Sequence, residues 1–316
     1  MRVTNNMLVN NMVYNLNQNL KKLEKLQYQL ATGKKFRVPS DDPIGASKSL
    51  KFNTDISKLE QYERNVKDAL SWMSDTEAAL GEIGEVLKRA KELTVDAANG
   101  TKTTEDLNKI REEIDQLKEH LIQIANTTYA GRHVFSGYKT DKPLITVDED
   151  GNIVYNITLE STEVFEYNVG ISERVKVNTL GGKIFGNKIS GNPGGDYTGN
   201  VSADQKPHLI EVFENLSNAL ENNIPADIQQ ALTNLDNAME QVLSVRAEVG
   251  AKMNRLELTD KKLGVQIVSV QELLSYNEDV DIAEAFMNIN VAQNVYVSSL
   301  MTGARIIQPT LVEFLR

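Results

Sequence analysis

The 316-residue chain carries 44 acidic and 34 basic residues, a net charge of −10, and no cysteine. Phosphate recognition needs clustered Lys and Arg, so this balance excludes a general nucleic-acid binder, and the missing thiols exclude disulfides and thiolate chemistry. No stretch approaches 18 continuous apolar residues, so no membrane-spanning helix is expected. Nor do the opening residues read as a secretory signal. Met7-Leu8-Val9 is a short apolar run interrupted by asparagines, so an exported protein of this kind would leave by another route.

In chain order, the first twenty residues contain one charge, Arg2. Val9, Val13, Leu16, Leu20, Leu23 and Leu30 alternate at four and three residues, with Gln27 in the open position, which is a coiled-coil seam. Seven asparagines between residues 5 and 19 make an isolated helix marginal. The expectation is a segment disordered alone and helical in a complex. Gly33 should end this helix. Asp42 then reads as an N-cap, with Pro43 at the first position of a long helix. Its core-facing residues include Ile56, Tyr62, Val66, Leu70, Met73, Leu80, Ile83, Leu87 and Ala90, and it should stop at Asn99-Gly100. Thr103 or Thr104 caps the next helix, whose seam is Leu107, Ile110, Ile114, Leu117, Leu121 and Ile124. The short connection makes the pair an antiparallel hairpin.

At Gly131 the character changes. Ile153, Tyr155, Ile157 and Leu159 alternate with more polar neighbours, and Asp150-Gly151 reads as the hairpin turn before them. A glycine-rich stretch follows to about residue 200. Helical patterning returns at Pro207 and Pro225, the latter opening a helix expected to run past 270. Asp279 is the expected cap of the last helix, whose seam reads Ile282, Phe286, Ile289, Gln293, Tyr296, Leu300, Gly303 and Ile307. Phe286 to Val312 holds a single charge, Arg305. Pro309 should kink or end the helix, and Leu311 and Phe314 complete the expected subunit-contact residues.

The fold class is mostly α with an inserted β-rich domain: a long-helix bundle made from both chain ends, with the terminal helices pairing as a coiled coil. Three parts are expected: residues 1–40 with 278–316, residues 41–135 with 205–277, and the insertion at 136–204. Residues 1–40 carry a net charge of +6 and residues 277–316 a net charge of −3, which favours association of the two ends.

Chemistry is harder to find. Asp148-Glu149-Asp150-Gly151-Asn152 lacks the spacing and closing Glu of a calcium loop. Gly191 to Asp196 lacks the Gly-Lys-Ser/Thr ending of a phosphate loop. His120, His133 and His208 make no ligand spacing. Asp41-Asp42 is better explained by helix capping than as an acid–base dyad. No enzyme activity, metal or cofactor is expected.

Several segments resemble the bacterial flagellin superfamily. They are Met1-Arg2-Val3-Thr4; Leu26 through Lys35 followed by Pro39-Ser40-Asp41-Asp42-Pro43-Ile44-Gly45-Ala46; and Gln61 through Asn65. Ala125-Asn126-Thr127-Thr128, Gly131 through Gly137, Asp281 through Ala285 and Leu311 through Leu315 join them. The likeness spans roughly residues 1–137 and 225–316. Flagellins proper usually carry Ser-Ala-x-Asp-Asp-Ala-Ala-Gly and Phe-Asn-Gly where this chain has Pro39 to Gly45 and Tyr129-Ala130-Gly131, which favours the hook-associated branch of the family. The resemblance implies a three-layered structural adaptor joining the hook, through the first hook-associated protein, to the flagellin filament. It further implies copies of the chain in a ring, a cytoplasmic export chaperone on the C-terminal helix, and an extracellular place reached through the flagellar type III channel. Neither a nucleic acid nor a membrane is among the implied partners. A flagellin filament subunit is the near alternative; a cytosolic coiled-coil signalling or chaperone protein is the distant one.

Overall fold

A computed structural model describes residues 5–99, 102–148, 151–189 and 192–307. Three helices come first: α1 (Asn5–Thr32), α2 (Pro43–Ala98) and α3 (Thr104–Ala125). Four antiparallel strand pairs follow. They are β1 (Thr128–Tyr129) with β2 (Arg132–His133), β3 (Ile145–Val147) with β4 (Ile153–Tyr155), β5 (Glu166–Asn168) with β6 (Arg174–Lys176), and β7 (Asn187–Ile189) with β8 (Asn192–Asp196). The short α4 (Gly182–Phe185) precedes β7. The chain closes with α5 (His208–Glu221), α6 (Pro225–Glu278) and α7 (Ile282–Ile307). Two compact units result: described residues up to Lys58 together with those from Val265 onward, and the stretch Leu59–Gly264.

The helix boundaries follow local chemistry. Gly33 leaves α1 with φ 71°, a left-handed conformation that glycine adopts freely. Asp42 Oδ1 accepts from the backbone N–H of Ile44 and of Gly45, at 3.1 and 3.0 Å, and Pro43 occupies the first position of α2. A Cβ at Gly45 would run into that carboxylate, so the cap and the glycine are coupled. Thr103 caps α3, accepting from Asp106 N–H at 3.3 Å. The cap of α7 is Asp281, whose Oδ1 accepts from Ala283 N–H and Glu284 N–H at 2.8 and 3.3 Å. Asp279, the residue expected there, bonds to Lys34 instead.

In the larger unit, α2 buries Val66, Ala69, Met73, Thr76, Leu80, Ile83, Leu87, Ala90, Thr94 and Ala97, alternating at three and four residues. The two threonines fill seam positions without stranding a hydroxyl, since each donates to the carbonyl four residues back, Trp72 O and Ala90 O. Ion pairs mark the neighbours. Arg89 meets Glu113 of α3 at 2.7 Å, Lys91 meets Asp236 of α6 at 2.6 Å, and Arg111 of α3 meets Glu221 of α5 at 3.0 Å.

The β3–β4 and β5–β6 pairs belong to the same core. Ile153, Tyr155, Ile157 and Leu159 are buried and join one cluster with Leu80, Leu87 and Phe213. An isolated two-stranded hairpin is marginal in water, so these pairs depend on the helices beneath them. Tyr155 is wholly buried and its hydroxyl donates to Gly186 O at 2.6 Å. Gly182 has no room for a side chain: a Cβ there would sit 2.7 Å from the backbone oxygen of Gly199. Gly182→Ala is therefore expected to destabilise the larger unit by about 1–3 kcal/mol, the range for overpacking. Urea titration of the purified variant measures it.

Candidate functional site: the terminal helix pair

α1 and α7 pack against each other antiparallel. Asn19 Nδ2 donates to Ser299 Oγ at 3.2 Å, and Leu26 shares a small buried cluster with Ile289 and Ala292. On α1 the facing residues are Val9, Met12, Leu16, Asn19, Leu23, Leu26 and Leu30. On α7 they are Ala285, Ile289, Ala292, Tyr296, Ser299 and Gly303. Both sets alternate at three and four residues, which is coiled-coil spacing. The α7 side is made mostly of small residues, so the backbones approach closely; a Cβ on Gly303 would overlap the end of Met12. The Asn19–Ser299 bond sets the register, as polar seam residues do.

The expected contact residues divide into two groups. Val9, Leu16, Leu23, Leu30, Ile289 and Tyr296 lie in this internal seam, buried or half-buried. Val13, Leu20, Ile282, Phe286 and Leu300 do not; they are exposed by 45, 47, 63, 58 and 43%. Ile307 closes α7, while Leu311 and Phe314 lie outside the described residues. Met12, Leu26, Ala285 and Ala292 belong to the seam and were missed by a reading that favoured large side chains. The signal was present as an equally regular spacing one position earlier.

Exposed apolar residues continue around α7. Met287, Val291, Val295, Val297 and Met301 join Phe286 and Leu300, and on α1 Leu8 and Tyr14 join Val13 and Leu20. A groove of about 650 Å³ runs along one side of the pair, between Leu8, Asn11 and Asn15 of α1 and Val291, Val295 and Thr302 of α7. Apolar side chains thus lie on α7 beyond the face that meets α1. Among the described residues no helix is long and apolar enough to cross a membrane, and no group of three His, Asp or Glu is placed to hold a metal ion.

At the far end of the pair a polar clasp holds the chain. Lys35 N–H donates to Glu278 O at 2.6 Å and Val280 N–H to Gly33 O at 2.8 Å. Lys34 Nζ pairs with Asp279 at 2.7 Å and Glu278 at 3.0 Å, and Ser49 Oγ donates to Glu278. Asp279, then Glu278, hold the Lys34 ammonium above its usual pKa, and Lys34 and Ser275 hold the Asp279 carboxyl below its own. Stability from Asp279 is present above the ordinary carboxylate pKa of 3.8 and lost as pH falls through the lowered value. Stability from Lys34 is present below 10.5 and lost as pH rises through the raised value. The clasp is thus complete across neutral pH. Lys34 and Asp279 are about two-fifths exposed, which limits their pair to about 0–1 kcal/mol. Asp279→Asn should cost up to about that amount at pH 7, and the difference from the parent should vanish in thermal melts taken below the lowered Asp279 pKa.

A helix pair held in register by small and polar seam residues, with large apolar residues left outside, defines a helical assembly subunit. A family model of the bacterial flagellin N-terminal helical region matches residues 3–140, and one of the flagellin C-terminal helical region matches residues 232–315. The chain is 30% identical to flagellar hook-associated protein 3 of Escherichia coli over 264 residues, 80% of each chain. It is also 30% identical to flagellin of Bacillus subtilis over 289 residues, 90% of this chain and 89% of that one. The crystal structure of the flagellar junction protein of Legionella pneumophila superposes with a TM-score of 0.58 at 19% identity, over 73% of this chain and 99% of that one. The chain belongs to the bacterial flagellin family. It is a structural protein of the bacterial flagellum, not an enzyme, and it assembles with other flagellar components.

Proposed function

We propose that the protein is the adaptor that joins hook to filament, meeting the first hook-associated protein on one side and flagellin on the other, with copies of itself in a ring. The observation that carries the assembly mechanism is the exposure of Phe286, Val291, Val297 and Leu300 on a helix that already has an intramolecular partner. Neighbouring subunits bury those faces, and the terminal segments fold as they are enclosed. Seven asparagines near the start of α1 and the small seam residues of α7 keep the pair weak outside an assembly. The three-part organisation, with residues 1–40 and 278–316 innermost and the 136–204 insertion outermost, belongs to the same reading. So do export through the flagellar channel and a cytoplasmic chaperone on the C-terminal helix, which would cover the apolar faces of α7 beforehand.

The junction is favoured over a filament subunit by Pro39-Ser40-Asp41-Asp42-Pro43 and by Tyr129-Ala130-Gly131, where flagellins usually differ. Identity alone does not separate the two, being 30% to a protein of each kind. Purified protein added to filament seeds is the test. A junction protein is expected to cap or fail to extend the seeds, and to restore filaments in cells lacking their own junction protein. Seeds that lengthen steadily would make it a flagellin.

A further inference from the structure

The smaller unit carries a cationic groove that the apolar faces of α1 and α7 leave unused. Residues 21–37 include six basic residues and one acidic. Among the described residues the one cation of this stretch in an ion pair is Lys34, which meets Glu278 and Asp279. Lys21, Lys25 and Arg37 are exposed, and they line a groove of about 410 Å³ with Tyr28, Val38, Glu24 and Asp41. Arg37 stands over the Tyr28 ring, its guanidinium carbon 5.8 Å from the centroid. The Asp41 carboxylate already accepts from the backbone N–H groups of Arg37 and Val38, at 3.2 and 3.5 Å.

The larger unit has the opposite character, with 34 acidic against 22 basic residues between 59 and 264. On α2, Asp75, Glu82 and Glu85 follow one another at seven and three residues and so share one face. None of the three is in an ion pair among the described residues, and the neighbouring Arg89 is taken by Glu113 and Glu92. We propose that the Lys21, Lys25 and Arg37 groove of one copy docks the Asp75, Glu82 and Glu85 face of a second copy. Charge complementarity carries the match: two lysines one helical turn apart meet two glutamates one turn apart, with Arg37 beside them. A nucleic acid or an anionic lipid surface is a poorer occupant, because the chain's net charge of −10 repels it. The contact presupposes the ring of copies proposed above and supplies one of its interfaces. Groove and acidic face are different patches of one chain, so their contact is heterologous, and such contacts close into a ring where the rotation allows.

Sedimentation of the purified full chain tests the pairing. At about 0.1 M salt the Debye length of about 10 Å screens the repulsion between whole chains but not charges in contact, and the parent is expected to self-associate. The double variant Lys25→Glu, Arg37→Glu should weaken that association at least about tenfold, and so should Glu82→Lys, Glu85→Lys. All four positions are exposed, so melting temperatures should stay where they are. Mixed in equal amounts, the two variants should associate as tightly as the parent, because the reversed groove of one meets the reversed face of the other. A parent that stays monomeric, a groove variant that associates undiminished, or a mixture no tighter than its components overturns the pairing. The ring itself is judged separately, by restoration of filaments in cells lacking their own junction protein. A groove variant that restores them fully sinks this contact and leaves the junction reading standing, whereas a parent that restores none sinks both.

Discussion

Leu20→Asp and Leu300→Asp are each expected to abolish incorporation into flagella while leaving the isolated protein almost as stable as before. Leu20 is 47% and Leu300 43% exposed, and neither lies in the α1–α7 seam. Surface substitutions away from packed features usually stay within about ±0.5 kcal/mol. In an assembly that encloses this edge, the same aspartate would place an unpaired charge in an apolar contact, a cost of several kcal/mol. Leu26→Asp is the contrast. Leu26 is 8% exposed and clusters with Ile289 and Ala292, so its replacement should separate the terminal helices in the monomer. Circular dichroism and limited proteolysis follow the monomer, and motility with filament counts follows the assembly. Normal filaments carrying Leu20→Asp would refute burial of this edge.

Phe185→Ala is expected to have the largest effect on the larger unit, about 3–5 kcal/mol. Phe185 is wholly buried at the end of α4 and packs edge-to-face on Phe135, with centroids 6.4 Å apart. Its loss leaves a cavity in the core that the strand pairs share with the helices. Chemical denaturation should show a single lowered midpoint if strands and helices share one core. A retained helical transition with early loss of the strand region alone would show that the insertion folds independently.

Local signals explain much of the agreement between residues and structure. Gly33, the Asp42-Pro43 start and Thr103 acted through their own backbone preferences, and nothing distant opposes them; Gly100 lies outside the described residues. Asp279 misled for the opposite reason. Two carboxylates stand two residues apart, and either could cap α7; Lys34, far away in sequence, takes Asp279 and leaves Asp281 to cap. The packing of Trp72 against Tyr129 and Phe165 was not legible. Trp72, Tyr129 and Phe165 lie on α2, β1 and a loop before β5, with no spacing that links them.

The terminal helices show the same division. That two nearly charge-free ends carry heptad spacing was legible from the residues, because periodicity is a local property of the chain. Which of two neighbouring stripes turns inward was not. Val13, Leu20, Phe286 and Leu300 are large and apolar, yet their neighbours Met12, Asn19, Ala285 and Ser299 take the seam positions beside Leu16, Leu23 and Ile289. Small side chains let two backbones approach, and close approach is rewarded only when the partner helix is in place. The sequence by itself therefore determined that the ends are amphipathic helices able to pair. Only the tertiary structure decided that Val13, Leu20, Phe286 and Leu300 would face outward, where the next subunit can reach them.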